Sequence, residues 1–441
     1  MGTRRQRADH GGDPQHPVRL GGRGNNRCRG RGGHAARGLW QGRAAILIGL
    51  VLLGIGLRHA VTGLSPLLSD VRDALGMGTA GATLIGMLPT LCFGAAGFLA
   101  PVVVRKIGAE QTALLAVALA AAGTLARPFV GSVPVFIALS VVALVGMGMG
   151  NVVGAPLVKK YFPDRQASMV TVFALLMQAG ATLPAMTAIP VANALGWQAS
   201  LASWGVLSLV AVVPWAIQLL KMRSAQPGEA QAGAAAAAPA AQKLGLAQLV
   251  TSPVALGTAL FYAMASLNIY AMLAWLPTIL QQHLGLDRNA VGVAFSVYTF
   301  MTLPMAFVTP LIANKLKNPM PLAALLAAAG PLGYLGMIFG VGPAWLMTLV
   351  AGLAGGAFPL AIAMFNLRTR TTMGSASIAG FAMGIGYLAG TLGPLLGGWL
   401  YAVSGSWTTP LWVYVATVVP MAIGGMMMAR PGRYLEDKFG G

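Results

Sequence analysis

About a dozen times this chain repeats a run of roughly 20 apolar residues, the length that crosses the hydrocarbon of a bilayer as a helix. Almost no charge interrupts these runs, and only 9% of all residues are charged. Lipid offers the backbone no hydrogen-bond partner, so a run of this kind must close its own bonds as a helix. The runs fall at 44–66, 79–104, 110–130, 133–158, 167–191, 198–221, 252–280, 289–313, 320–341, 343–366, 374–402 and 408–429. They predict an all-α membrane protein of twelve transmembrane helices. The connections between them are too short for a soluble catalytic domain, so function must lie with the few polar residues inside the bilayer.

The net charge of +19 raises the question of nucleic acid, but its distribution points to topology. Beyond the N-terminal tail, alternate loops carry Arg105, Lys106, Lys159, Lys160, Arg165, Lys221, Arg223, Lys243, Lys315, Lys317, Arg368, Arg370, Arg430, Arg433 and Lys438. The opposite loops carry Arg72 and Arg288. Positive loops stay in the cytoplasm, which places both termini and the central loop there. No nucleic-acid partner is expected. Cys28 and Cys92 lie in unlike surroundings and suggest free thiols, not a disulfide framework.

The chain divides into a basic N-terminal tail (1–43), a six-helix bundle (44–221), a linker (222–251), a second six-helix bundle (252–430) and a C-terminal tail (431–441). The Arg- and Gly-rich tail has too little apolar surface to bury and is expected to be disordered. The two bundles repeat each other weakly. Pro66 in LSPLL and Pro277 in LPTIL stand 211 residues apart, Pro101 and Pro310 209, and Trp197 and Trp407 210. The near-agreement predicts two pseudo-symmetric halves.

Arg58 is the residue that most narrows function. It lies well inside the first span, where an ionised side chain costs about 2.5–3.5 kcal/mol on insertion scales, so it is expected to face a watery cavity. All ten acids fall in tails, loops or span ends. A guanidinium in a cavity without a carboxylate favours an anion. His59 is either a titrating group or a packed neutral imidazole. Thr62, one turn beyond Arg58, either meets a solute or bonds back to its own helix. Arg127, near the outer end of the third span, either serves function or snorkels to the surface. Asn151, among the glycines of GMGMGNVVGAP, is a cavity donor or a helix–helix bond. Asn268, Tyr270 and Trp275 in SLNIYAMLAWLP complete the candidate substrate-binding set, Asn268 and Trp275 sharing one helical stripe. No nucleophile and base are paired and no metal ligands cluster, so no catalytic residue, metal or cofactor is expected, and the chain is not read as an enzyme.

GLRHAVTGLSPLL (56–68) resembles the NLRPxxTxxGPLL opening of the cyanate permease and 2-nitroimidazole transporter family within the major facilitator superfamily. GNVVGAPLVKKYFP, LNIYAMLAWLPTIL, FNLRTR and GYLAGTLGPLLGGWLY are further points of likeness, spread over both halves. The chain departs from the pattern with Gly56 in place of Asn and His59 in place of Pro. It also has Arg105 where the superfamily carries an acid near the second loop, so the charge lock at the helix ends must be built differently. The resemblance implies the major facilitator fold, with the first, fourth, seventh and tenth spans around a central site. It further implies a monomeric, multi-pass secondary transporter of a bacterial inner membrane. The expected partners are the lipid bilayer and a small anionic or weakly acidic solute, cyanate-like, with proton or ion coupling left open. The alternatives are an exporter of neutral aromatic compounds such as nitroimidazoles, and a non-transporting membrane sensor.

Overall fold

The computed structural model describes residues 43–224 and 246–438. Nearly all of the tail expected over 1–43 and most of the expected linker lie outside the described residues. Among those described there is no strand, and 12 helical segments are long and apolar enough to cross a membrane. Spans 1 to 6 are Ala44–Leu75, Thr79–Ile107, Ala109–Phe129, Val133–Tyr161, Ser168–Leu195 and Trp197–Met222. Spans 7 to 12 are Pro253–Gln282, Arg288–Lys315, Met320–Phe339, Ala344–Leu367, Gly374–Ser404 and Thr408–Ala429. Span 1 is the clearest departure from the expected limits. It does not stop at Pro66, because the amphipathic turn pair Leu68–Leu75 continues it until Gly76, at φ 63°, closes the helix.

The two halves build themselves alike. Span 1 packs on spans 5 and 6, span 3 on spans 4 and 6, and span 2 on span 4. Span 7 likewise packs on spans 11 and 12, span 9 on spans 10 and 12, and span 8 on span 10. One pair of glycines shows how closely the plan repeats. Gly180 of span 5 leaves no room for a Cβ beside the Ile55 carbonyl of span 1, and Gly393 of span 11 leaves none beside the Leu267 carbonyl of span 7. Removing the side chain lets two backbones approach, the usual device of helices packed in lipid.

The halves meet along two seams, span 2 on span 11 and span 5 on span 8. Exchanging the halves turns one seam into the other. On the first seam, the space beside Gly398 is filled by Thr83, that beside Gly86 by Ala274 and Pro394, and that beside Gly94 by Tyr387. Thr90 and Thr391 share a hydrogen bond of 2.8 Å across it. The same helical stripes continue toward the termini through Gly97 on span 2 and Gly384 and Gly380 on span 11. A Cβ at any of these three would meet open space. The seam is therefore closed from the Asp70 end to mid-span and parts beyond it, leaving a cleft that opens on the face where span 1 begins and span 12 ends.

Each face has its own polar ties. At the end where span 1 finishes, Arg288 grips Asp70 with two bonds of 3.1 and 2.6 Å, Asn193 donates to Asn289 at 3.0 Å, and the Ser65 hydroxyl donates to the Leu273 carbonyl. All three join one half to the other. At the opposite face the described ties stay within a half. Glu110 accepts from Lys160 at 2.5 Å and from Tyr161 at 2.7 Å, and Arg43 pairs with Asp164 at 2.8 Å. The Arg43 bond holds the Asp164 carboxyl below its ordinary range. In the second half the Glu436 carboxylate accepts from the Arg370 and Thr371 amides and caps the start of span 11. Burial pushes the Glu436 carboxyl up, but these donors outweigh it and hold the group below its ordinary value. Glu110, at the start of span 3, thus places an acid beside the second loop, which itself carries Arg105 and Lys106.

Candidate functional site

Span 1 is not one helix. It runs as Ala44–Ile55, loses helical form over residues 56–58, makes a single turn at His59–Thr62 and a 3₁₀ turn at Ser65–Leu67, then resumes at Leu68. No proline lies at the first break. Irregular backbone at membrane depth survives only where protein or a watery cavity covers it. Here the protein answers part of the need. The Ala60 carbonyl receives the Arg127 Nη2 at 3.0 Å, and the Arg58 carbonyl accepts from the Val61 amide and the Thr62 amide and hydroxyl.

Arg58 stands at this break, in a non-helical conformation (φ −134°, ψ −8°) just ahead of the single turn. Its side chain is half-buried, and its Nε has no hydrogen-bond partner. The guanidinium lies against the hydroxyl of Tyr270 and within electrostatic reach of Tyr262 and Tyr387. Among the described residues no carboxylate forms an ion pair with it. Tyr262, Ser266 and Tyr270 follow one another at four-residue spacing and so share one stripe of span 7. The Ser266 hydroxyl is buried without a partner and lies beside Gly390 of span 11, close to Thr90. One cation, three phenols and the free Ser266 hydroxyl thus converge where the cleft ends.

The structure draws only part of the expected set to this place. Arg58 and Tyr270 meet. Thr62 bonds back to the Arg58 carbonyl at 3.3 Å. His59 turns into the first half, its Nε2 lying 3.4 Å from Ser208 and 3.5 Å from Thr124, with its ring stacked 6.2 Å from Trp204. Arg127 does not snorkel. It is 1% exposed, because the broken backbone of span 1 supplies a buried carbonyl for it to hold. Asn151 is half-buried on span 4 with no hydrogen bond among the described residues. Asn268 and Trp275 share a stripe, but that stripe faces away from the cleft. Asn268 donates to Met264 and, at 2.8 Å, to Thr417 of span 12; Trp275 donates to the Pro394 carbonyl at 2.9 Å. Tyr262, Ser266 and Tyr387 do not stand out in the sequence. The spacing of Tyr262, Ser266 and Tyr270 is the signal that could have found the first two.

A guanidinium only donates hydrogen bonds and phenol hydroxyls can donate beside it, with no carboxylate paired to it among the described residues, a set that suits an acceptor-rich or negatively charged guest. It contains no pairing of nucleophile and base.

Known proteins share this frame. A crystal structure of a D-xylose-proton symporter superposes with a TM-score of 0.68 at 14% identity, covering 87% of this chain and 97% of that one. In sequence the chain is 29% identical to the 2-nitroimidazole transporter of Escherichia coli (strain K12) over 88% of this chain and 96% of the relative. It is 24% identical to the cyanate transport protein of the same organism over 85% and 94%. Residues 44–387 match the sequence model of the Major Facilitator Superfamily. With twelve spans in two matching halves and that match over most of its length, the chain belongs to the Major Facilitator Superfamily of transporters.

Proposed function

We propose that this transporter carries a small anionic or weakly acidic solute by alternating access, with Arg58 binding its negative charge and Tyr270 donating beside it. The observation that carries this reading is the half-buried Arg58 at the end of the cleft, among tyrosine hydroxyls and without a carboxylate ion pair. A charge at that depth needs a counter-charge, and a solute can supply it. The basic residues collected on the face of the termini support a cytoplasmic placement of that face in a bacterial inner membrane. On that placement the cleft is open to the inside, and the outer ties of Asp70, Asn193 and Ser65 must part for the solute to reach the other side. The two relatives, named for cyanate and for 2-nitroimidazole, support a small solute. A neutral nitroaromatic solute is the second reading. It is favoured by the aromatic wall at Tyr262, whose ring meets Phe358 at 4.6 Å.

The deciding experiment is calorimetric binding of a panel of small anions and neutral nitroaromatics to the purified protein. Arg58→Ala removes charge and fork together. Loss of a charge-assisted contact in a desolvated site costs on the order of 2–5 kcal/mol, roughly 30- to several-thousand-fold in affinity. Arg58→Lys keeps the charge without the planar donors and should be weakened less. Unchanged anion binding by folded Arg58→Ala protein overturns the anion reading, and nitroaromatic binding that survives it supports the second.

A further inference from the structure

Arg127 presents a second unpaired cation, deeper than the first. It is 1% exposed, and no carboxylate pairs with it among the described residues. A guanidinium offers five donors. One reaches the Ala60 carbonyl at 3.0 Å, and the Nε has no partner. The Phe136 ring, 5.8 Å from the guanidinium carbon, offers its face and no acceptor. The neighbouring His59 is held by neutral hydroxyls. A neutral carbonyl and a ring face do not offset the desolvation of a full charge at this depth, which calls for a paired or coordinated counter-charge.

The side chain also has somewhere to put one. Arg127 and Ser140 line a cavity of about 30 Å³ that extends to Val61, Leu273 and Tyr270. Some 10–15 Å³ of such space admits one water, so this cavity has room for a single small ion and not for a solute of many atoms. Tyr270 borders it and also touches Arg58, whereas Arg58 itself does not line it.

We propose that this cavity is a second anion site, in which one small monovalent anion of halide size rests against Arg127, with Tyr270 between it and Arg58. The bound charge neutralises Arg127 and thereby steadies the broken backbone of span 1 that Arg127 holds through Ala60. The counter-charge requirement of Arg127 arises within the first half and is the same whatever is transported at Arg58, while Tyr270 and Leu273 of the second half complete the cavity.

The test uses full-length protein carrying Arg58→Ala, so that the cleft site contributes nothing. Its melting temperature is compared in sodium gluconate, whose anion is too large for the cavity, and in sodium bromide at equal ionic strength. Bromide should raise the melting temperature along a saturating curve. Adding Ser140→Val fills the cavity while leaving Arg127 in place, and should abolish the shift. The Ser140 hydroxyl bonds only to the Phe136 carbonyl of its own helix, at 2.8 Å, so its removal leaves no second side chain unpaired. Equal melting in both salts, or a bromide shift that persists with Ser140→Val, overturns the proposal. Should the double variant fail to fold, anomalous scattering from bromide-soaked crystals of the unaltered protein decides. A peak beside the Arg127 guanidinium supports the site, and no peak there overturns it. A peak at Arg58 bears on the cleft alone.

Discussion

Span 1 and span 7 occupy corresponding places in the two halves, and each is pressed by a glycine of its neighbour at the same level, Gly180 on Ile55 and Gly393 on Leu267. Three residues beyond those carbonyls stand Arg58 and Tyr270, which face one another. Yet span 1 breaks there, and span 7 runs unbroken from Pro253 to Gln282. The difference arises from where the polar groups find partners. Span 7 turns Asn268 and Trp275 into its own half, where Thr417 and the Pro394 carbonyl take their donors. Span 1 instead gives up helical hydrogen bonds and is held by Arg127 from span 3. One half supplies a firm wall of phenols, the other a charge on pliable backbone.

The largest effect should come from the shared glycine contact. Gly180→Ala and Gly393→Ala each force a backbone collision, which should cost about 1–3 kcal/mol or more in stability. Their effects on binding should differ. Gly180→Ala pushes on the residues leading into the break and should weaken anion binding along with stability, whereas Gly393→Ala should act chiefly on stability. Thermal melts paired with binding titrations separate the two, and identical binding losses would break the contrast between a pliable and a firm half. Next in size, Asn268→Leu should lower stability by about 1–2 kcal/mol by removing buried bonds and leaving Thr417 without its donor. Anion affinity should stay within a few-fold of the parent. A large affinity loss with an unchanged melt would instead place Asn268 in the solute path. The smallest effect should be that of Asp70→Asn. The Asp70–Arg288 pair is partly exposed, with side chains 22% and 41% accessible, so its loss is worth about 1 kcal/mol or less. It should still raise labelling of a cysteine placed at Ser69 by a few-fold, and high salt should mimic it in the parent. Unaltered labelling would show that the outer closure rests on apolar packing.

Much of this frame is legible in the residues themselves. The twelve spans follow from hydropathy, and the paired prolines and tryptophans some 210 residues apart betray the repeat. Arg58 stands out because charge at mid-span is so costly. The break beside it does not, because the Gly54 and Gly56 that precede it look no different from the glycines of GMGMG, which remain helical in span 4. Glycine permits a break, and only the tertiary setting decides where one forms. The direction of each stripe is hidden for a similar reason. A period of 3.6 shows that Asn268 and Trp275 share a face. It does not show that this face is turned toward spans 11 and 12, or that Tyr262, Ser266 and Tyr270 hold the cleft side. Tyr387 is hidden because only the closing of the seam between spans 2 and 11 brings it to Arg58.

If Arg58 binds an anionic solute as proposed, its charge also gives the transporter an electrical character. Without a solute the cleft carries one uncompensated positive charge within the low-dielectric layer, and with a monovalent anion bound it carries none. A membrane potential does work of about 2.3 kcal/mol per elementary charge per 100 mV on charge carried across the full field. On that reading the loaded protein would reorient almost indifferent to voltage, and the empty protein would take up whatever fraction of that work its rearrangement spans. The step that membrane voltage would then govern is the return without cargo, and currents measured in reconstituted bilayers would arise there.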